Sequence, residues 1–257
     1  MARNHARVLI VVCGNAGHGK DTLADSIQTH IPGSERDAFA VPLKQCVHLK
    51  TGIPMWVLNG PKEVKEDPKY GAYGKTARRL MQDEGEGARQ AIGLTVWMDR
   101  LAERFLASGA KVSIVSDGRH PTEEMMALKE RVGDRALVVF VVVRRPDVPV
   151  NTDHVSESRI AAMPNDDFDF VVMNTGTPED LMEKAKQLAV ATLLWAQTGK
   201  LPERGWLVHC PGGGSQPWPY ATEDDAEKVA TLMPCDCCVS RVKHEVRPIE
   251  FDGLVIP

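Results

Sequence analysis

A three-layer α/β fold, with helices on both faces of a five-stranded parallel sheet, is what this 257-residue sequence predicts. Three observations carry the prediction. Short apolar runs recur at Val8 to Cys13, Lys111 to Ser116, Ala136 to Val143 and Phe168 to Met173, and near-continuous runs of this kind belong to strands buried on both faces. Amphipathic stretches separate the runs, and strand alternating with helix calls for parallel pairing through crossovers. The first run also leads straight into a glycine-rich turn and a helix.

That turn reads Gly14, Asn15, Ala16, Gly17, His18, Gly19, Lys20, Asp21, Thr22. Gly14, Gly19 and Lys20 meet the spacing G-x4-G-K of a P-loop, and the flanking strand and helix fall where that motif requires them. Glycines let the backbone curl so that several N–H groups converge, and the helix N-terminus adds partial positive charge. All nine residues are therefore candidates for holding ATP, with Lys20 reaching the outer phosphates. The residue after the lysine is usually Ser or Thr; here it is Asp21. Its carboxylate can hold Mg²⁺ directly or through water, while Thr22 offers a hydroxyl nearby, and the spacing does not choose between them.

The remaining elements follow in order. Ala38 to Val41 reads as a short second strand, and Pro42 suits the first turn of a helix. Residues 51–74, rich in Gly, Pro and charge, read as a loop-rich insertion. Lys75 to Asp83 is helical, with Gly85 and Gly87 expected to interrupt it. Thr95 caps a further helix carrying Trp97, Leu101 and Phe105 on one face. After the third strand, Pro121 opens a helix with Met125, Leu128 and Val132 on one side, closed by Gly133. The fourth strand ends at Arg144-Arg145-Pro146, and a polar loop is expected through Asp153 and Glu157. Thr177-Pro178-Glu179-Asp180 caps a long helix running through Trp195.

Composition narrows the function. Hydrophobic content of 43% supplies a packed core, and a net charge of −4 argues against a protein that mainly coats nucleic acid. No apolar run is long enough to span a membrane. No secretory signal precedes the first strand, so the six cysteines are expected reduced and the chain cytoplasmic, in the host's cytoplasm if it is viral. Asp117, at the C-terminal end of the third strand, is the acid expected to help Asp21 hold Mg²⁺; the competing reading is a helix cap.

Several further elements stand in a fixed order: Gly19-Lys20-Asp21-Thr22, Ala40 to Lys44, Arg79-Leu80-Met81-Gln82 with Glu84, Gly85 and Arg89, then Trp97. Asp117-Gly118-Arg119 with Glu123, and Asp153-His154-Val155-Ser156-Glu157, complete the series. In that combination the chain resembles the deoxynucleoside monophosphate kinases of tailed bacteriophages, a branch of the P-loop nucleoside monophosphate kinases, over about residues 7–196. His120 and Val41 depart from the pattern and leave substrate choice open. The resemblance implies transfer of the ATP γ-phosphoryl group to a deoxynucleoside 5′-monophosphate. It implies a kinase domain over residues 1–198, with a monophosphate-binding insertion at about 51–105 and a lid-like loop at 144–160. Catalysis would fall to Lys20, Asp117, Arg119 and Arg145. Arg79 and Arg89 would hold the acceptor phosphate, because planar guanidinium groups bind phosphate oxygens in pairs. Lys44 contacts phosphate or covers a helix start. Gln82 can read a base edge, and Trp97 stacks on a base or belongs to the core. Arg78, Arg100 and Arg104 read as surface ion pairs.

Residues 199–257 form a small strand–helix–strand module: Trp206 to Cys210, Glu223 to Met233, and Cys238 to Ile249. Cys235 and Cys238 make a C-x2-C pair that Cys210 and His209 could complete around Zn²⁺, against the plainer reading of reduced cysteines in a small core. Dimerisation, or docking to a replication or modification enzyme, is open to this module. Beside the monophosphate kinase stand two other readings, a kinase of modified nucleotides or of a base within DNA, and a non-catalytic nucleotide-binding module.

Overall fold

The computed structural model describes residues 5–118, 121–150, 155–201, 204–209, 219–232, 245–251 and 254. Five strands, β1 (Val8–Gly14), β2 (Glu35–Asp37), β3 (Val112–Gly118), β4 (Leu137–Arg144) and β5 (Phe170–Met173), form one all-parallel sheet in the order β2-β3-β1-β4-β5. β1 is buried throughout. Its alternate residues face opposite ways, as a strand requires. Val8, Ile10 and Val12 pack with α1 (Lys20–His30) and α9 (Pro178–Thr198). Leu9, Val11 and Cys13 pack with α6 (Val96–Ala107) and α7 (Pro121–Val132), and Ile160 of α8 (Val155–Ala162) joins that layer. The three layers are those that the alternation of strand and helix predicts.

Three local expectations are corrected. The second strand is Glu35–Asp37, and the apolar stretch after it enters α2 (Ala40–Thr51). A carboxylate from β3 fixes the start of that helix, as described below, whereas the true strand is a charged edge strand with no apolar run to betray it. Gly85 and Gly87 do not break their helix, because α5 runs unbroken from Ala77 to Ala91 with Thr76 capping Arg79 N. A Cβ at Gly85 would lie 3.0 Å from Leu43 Cδ1, so the glycine marks the close approach of α5 to α2. The insertion at 51–74 carries two short helices, α3 (Met55–Leu58) and α4 (Lys62–Glu66). Val47, Ile53, Val57, Leu58 and Ala77 give this part a small apolar cluster of its own.

The long helix α9 begins in the capping box of Thr177 and Asp180 and ends at Gly199 in the left-handed conformation. Beyond it, β6 (Arg204–His209) and β7 (Glu245–Glu250) pair antiparallel, with α10 (Glu223–Leu232) between them in sequence. Ile249, Phe251 and Leu254 bury their side chains in the α1/α9 layer of the sheet. Residues 238–244 of the expected last strand lie outside the described residues. Among the described residues no helix is long and apolar enough to cross a membrane.

Candidate functional site

The C-terminal ends of β1, β3 and β4 meet at one edge of the sheet, and β1 delivers Gly14 there between its two neighbours. Gly19 then stands at φ +93°, with its hypothetical Cβ only 2.7 Å from Asn174 Nδ2, so both conformation and space demand glycine. It precedes α1, whose N-terminus has no side-chain cap. The N–H groups of Lys20, Asp21 and Thr22 therefore point out of that helix end unmet by a cap, and the helix dipole favours an anion before them. Lys20 lies in the same place with 13% of its side chain exposed.

Other parts of the chain hold the loop in shape. Asn15 is 1% exposed; its Nδ2 donates to the Glu157 carbonyl at 2.8 Å and to Glu157 Oε2 at 3.0 Å. Ala16 N donates to Glu157 Oε2 at 2.9 Å. Glu157 lies in the first turn of α8, a helix that begins at Val155 within the stretch expected to be a loop. Asn174, following β5, donates to the His18 carbonyl at 3.0 Å, and His18 Nδ1 accepts from Arg145 N at 3.3 Å. Asn15, Ala16 and His18 thus shape the loop through contacts with three other segments.

The two expected metal acids differ in placement. Asp21 is 70% exposed at the start of α1, and its Oδ1 accepts from Ser116 Oγ at 2.6 Å. Asp117 turns elsewhere: its Oδ1 accepts from Phe39 N at 2.8 Å and its Oδ2 from Ala40 N at 2.9 Å. Those contacts are what the helix-cap reading of Asp117 calls for. A carboxylate meeting the positive end of α2 is favoured there by the helix dipole and satisfies two terminal N–H groups. Asp117 is a cap, though on α2 rather than on the helix that follows it. The contact hangs α2, and with it the insertion, from the sheet edge that carries the loop.

On the insertion, Arg79, Gln82 and Arg89 share one face of α5 by their spacing. Arg79 Nε lies 2.9 Å from Asp83 Oδ1, and Lys75 Nζ lies 2.6 Å from Asp83 Oδ2. The hydrogen bond from Lys75, aided by Arg79, holds the Asp83 carboxyl below its ordinary range. Arg89 Nη1 donates to Gly85 O at 3.4 Å, and Lys44 Nζ to Asn59 Oδ1 at 3.0 Å. Of the two readings of Trp97, the structure places it in the core: it is 5% exposed within the α6/α7 layer, and its Nε1 donates to Gly85 O at 3.2 Å. Arg104 grips Asp37 through two nitrogens at 3.0 and 3.1 Å, the structural pair expected of it.

Arg144 and Arg145 divide their work. Arg144 donates to the carbonyls of Ile160 and Met163 at 2.8 and 2.7 Å, tying down the end of α8, while Arg145 is exposed beside the loop. An open groove of about 460 Å³ lies between loop and α8, lined by Asn15, His18, Arg145, Val148, Met163 and Pro164 among others. Arg119, and Cys210, Cys235 and Cys238 of the zinc reading, lie outside the described residues, as does the side chain of His209. Four residues of the site escaped the sequence reading of roles: Glu157, Asn174, Ser116 and Arg36. Asn174 had a signal, since a polar residue closing an apolar strand stands where open α/β sheets bind ligands.

No protein-family model matches this chain, and no curated protein matches it by sequence. Among solved structures it is similar to the tunicamycin resistance protein of Deinococcus radiodurans, at 14% identity and a TM-score of 0.39, over 70% of this chain and 93% of that one. It is also similar to a sugar kinase from a Janibacter species, at 18% identity and a TM-score of 0.33, over 70% of this chain and 92% of that one.

Proposed function

We propose that this chain is an ATP-dependent phosphotransferase whose acceptor is a deoxynucleoside 5′-monophosphate. The observation that carries the proposal is the uncapped N-terminus of α1 behind the Gly14–Gly19 turn, with Lys20 beside it and α2 and α5 hung from the same sheet edge. The motif series shared with phage monophosphate kinases supports the choice of acceptor.

The chemistry asked of these residues is modest. Transfer between two polyanions needs charge neutralised and oxygens held in line more than it needs covalent help. In this reading the first-turn N–H groups of α1 bind the donor phosphates and Lys20 balances their charge. Arg79 and Arg89 receive the acceptor phosphate from α5. Arg145, exposed where the chain leaves β4, closes over the transferring group, and Gln82 meets the base. No general base is required, because the attacking phosphate oxygen is already ionised.

The residues present fit Mg²⁺. Among the described residues there is no group of three or more His, Cys, Asp or Glu side chains able to cage a metal, and Mg²⁺ beside a nucleotide asks for only one or two carboxylates plus phosphate oxygens. Asp21 is that carboxylate, with one oxygen held by Ser116. When bound, the ion neutralises charge on the phosphate oxygens.

The test is direct. Incubated with Mg-ATP, the protein should phosphorylate one or more of the four deoxynucleoside monophosphates, read as diphosphate formed. Phosphate transferred only to a modified monophosphate, or to duplex DNA, would replace the acceptor. Absence of transfer to any of them, with no binding of a triphosphate, would overturn the reading altogether.

A further inference from the structure

We propose that in this chain the hydroxyl and the carboxylate that ordinarily share the metal end of a P-loop have changed places, so that Ser116 on β3 is the positioning residue for Asp21 on the loop. The inference rests on the nucleotide reading above and deepens it. In P-loop nucleotide-hydrolysing proteins the loop's Ser or Thr and an acid from a strand end both serve Mg²⁺. Here the loop position holds the acid, and the strand end holds the hydroxyl.

Contacts at the end of β3 decide which of its residues can play the partner. Val112 and Ile114 face the α1/α9 layer, while Val115 faces the opposite one. The pairing of β3 with β1 slips by one residue after Val115, so the next two side chains are placed by their contacts and not by simple alternation. Ser116 bonds to Asp21 on α1, and Asp117 accepts from the N–H groups of Phe39 and Ala40 at the start of α2.

The direction of the hydroxyl is fixed as well. Arg36 Nη2 donates to Ser116 Oγ at 2.9 Å, and a serine hydroxyl has a single proton to give. That proton goes to Asp21 Oδ1 at 2.6 Å, within the range of short bonds to charged acceptors. Arg36 is itself steadied by Asp25 Oδ1 at 3.4 Å. One oxygen of Asp21 is thereby held, and the other, Oδ2, is left on the side of Lys20, whose Nζ lies 3.8 Å away. Residues from β2, β3 and α1 thus converge to orient one exposed carboxylate that would hold the cation.

The experiment uses the full chain, a non-hydrolysable ATP analogue and Mn²⁺ as the probe, counted by electron paramagnetic resonance. Binding of the analogue is measured separately in EDTA. Loss of a group that orients a metal ligand typically weakens metal binding about 10- to 100-fold. Ser116→Ala should therefore weaken Mn²⁺ by about 10-fold or more while the analogue binds in EDTA as before, and Ser116→Thr should retain Mn²⁺. Asp21→Ser and Ser116→Asp should each weaken Mn²⁺, and the two together should bind it more tightly than either alone. Ser116→Ala binding Mn²⁺ like the unaltered protein would overturn the exchange, as would a folded double variant no better than its parents. If the double variant does not fold, the contrast of Ala with Thr at 116 decides alone. An unaltered chain that binds no analogue, with or without metal, overturns the nucleotide reading and this inference with it.

Discussion

Lys20 and Glu157 sit on opposite sides of the same turn and differ in what their loss should do. In the proposed reading Lys20 balances phosphate charge, and its pairing with the exposed Asp21 at 3.8 Å is weak, so Lys20→Ala should abolish phosphoryl transfer while the circular dichroism spectrum and melting temperature hold. Glu157 instead accepts from Ala16 N and Asn15 Nδ2 of the protein itself. Glu157→Ala removes the acceptor of Ala16 N and one of the two acceptors of Asn15 Nδ2, at about 1–3 kcal/mol; it should lower the melting temperature and raise KM for ATP, and an unchanged melting temperature would count against it. The spacing of Gly14, Gly19 and Lys20 was legible because a phosphate turn is local. Its supports were not: Glu157 and Asn174 reach the loop across 142 and 156 positions, and no local pattern encodes such a register. Trp97 stood on an apolar stripe that suits core and base platform alike, and only its burial separates them.

At the scale of elements, the buried strands β1, β3, β4 and β5 and the capped helix α9 could be read closely, since apolar runs and capping boxes are local signals. β2 could not. Its three residues, Glu35, Arg36 and Asp37, are all charged, and their pairing with Ser113 to Val115 of β3 is a tertiary fact. The glycines of α5 misled because helix propensity is a weak prior that packing overrides. A Cβ at Gly87 meets nothing within 4 Å, so Gly87→Ala should raise unfolding stability by about 1 kcal/mol. Gly85→Leu should lower it by about 1–3 kcal/mol through crowding of Leu43; urea denaturation checks both. The α1–α9 contact carries a pH dependence. His30, ending α1, is held below its ordinary value near 6.5, chiefly by burial and then by Lys186. The folded chain therefore resists the proton that the unfolded chain accepts, so this contribution is present above pH of about 6.5 and fades as pH falls below it. His30→Gln should flatten that part of the stability profile in acid titrations followed by fluorescence.

For the molecule as a whole, the last described residues act as part of the main core. Phe251 is buried against the same layer as Val8 and Leu188, so Phe251→Ala should cost about 3–5 kcal/mol, read as a lower melting temperature. A change under about 0.5 kcal/mol would mean that the C-terminal segment merely rests on the surface. The strand–helix–strand order of this segment was legible, but its burial against α1 and α9 was not, because one short apolar stretch does not say which face it will cover.

The burial of Ile249, Phe251 and Leu254 beside β1 also bears on the order of events during synthesis. The layer begun by Val8 is completed only when residue 254 has left the ribosome, so part of its apolar surface stays uncovered until then. Contacts this remote in sequence are slow to close, and chains waiting for them are prone to clump. Refolding from denaturant should accordingly show a late phase, in which protection of the β1 amides lags behind that of the insertion helices.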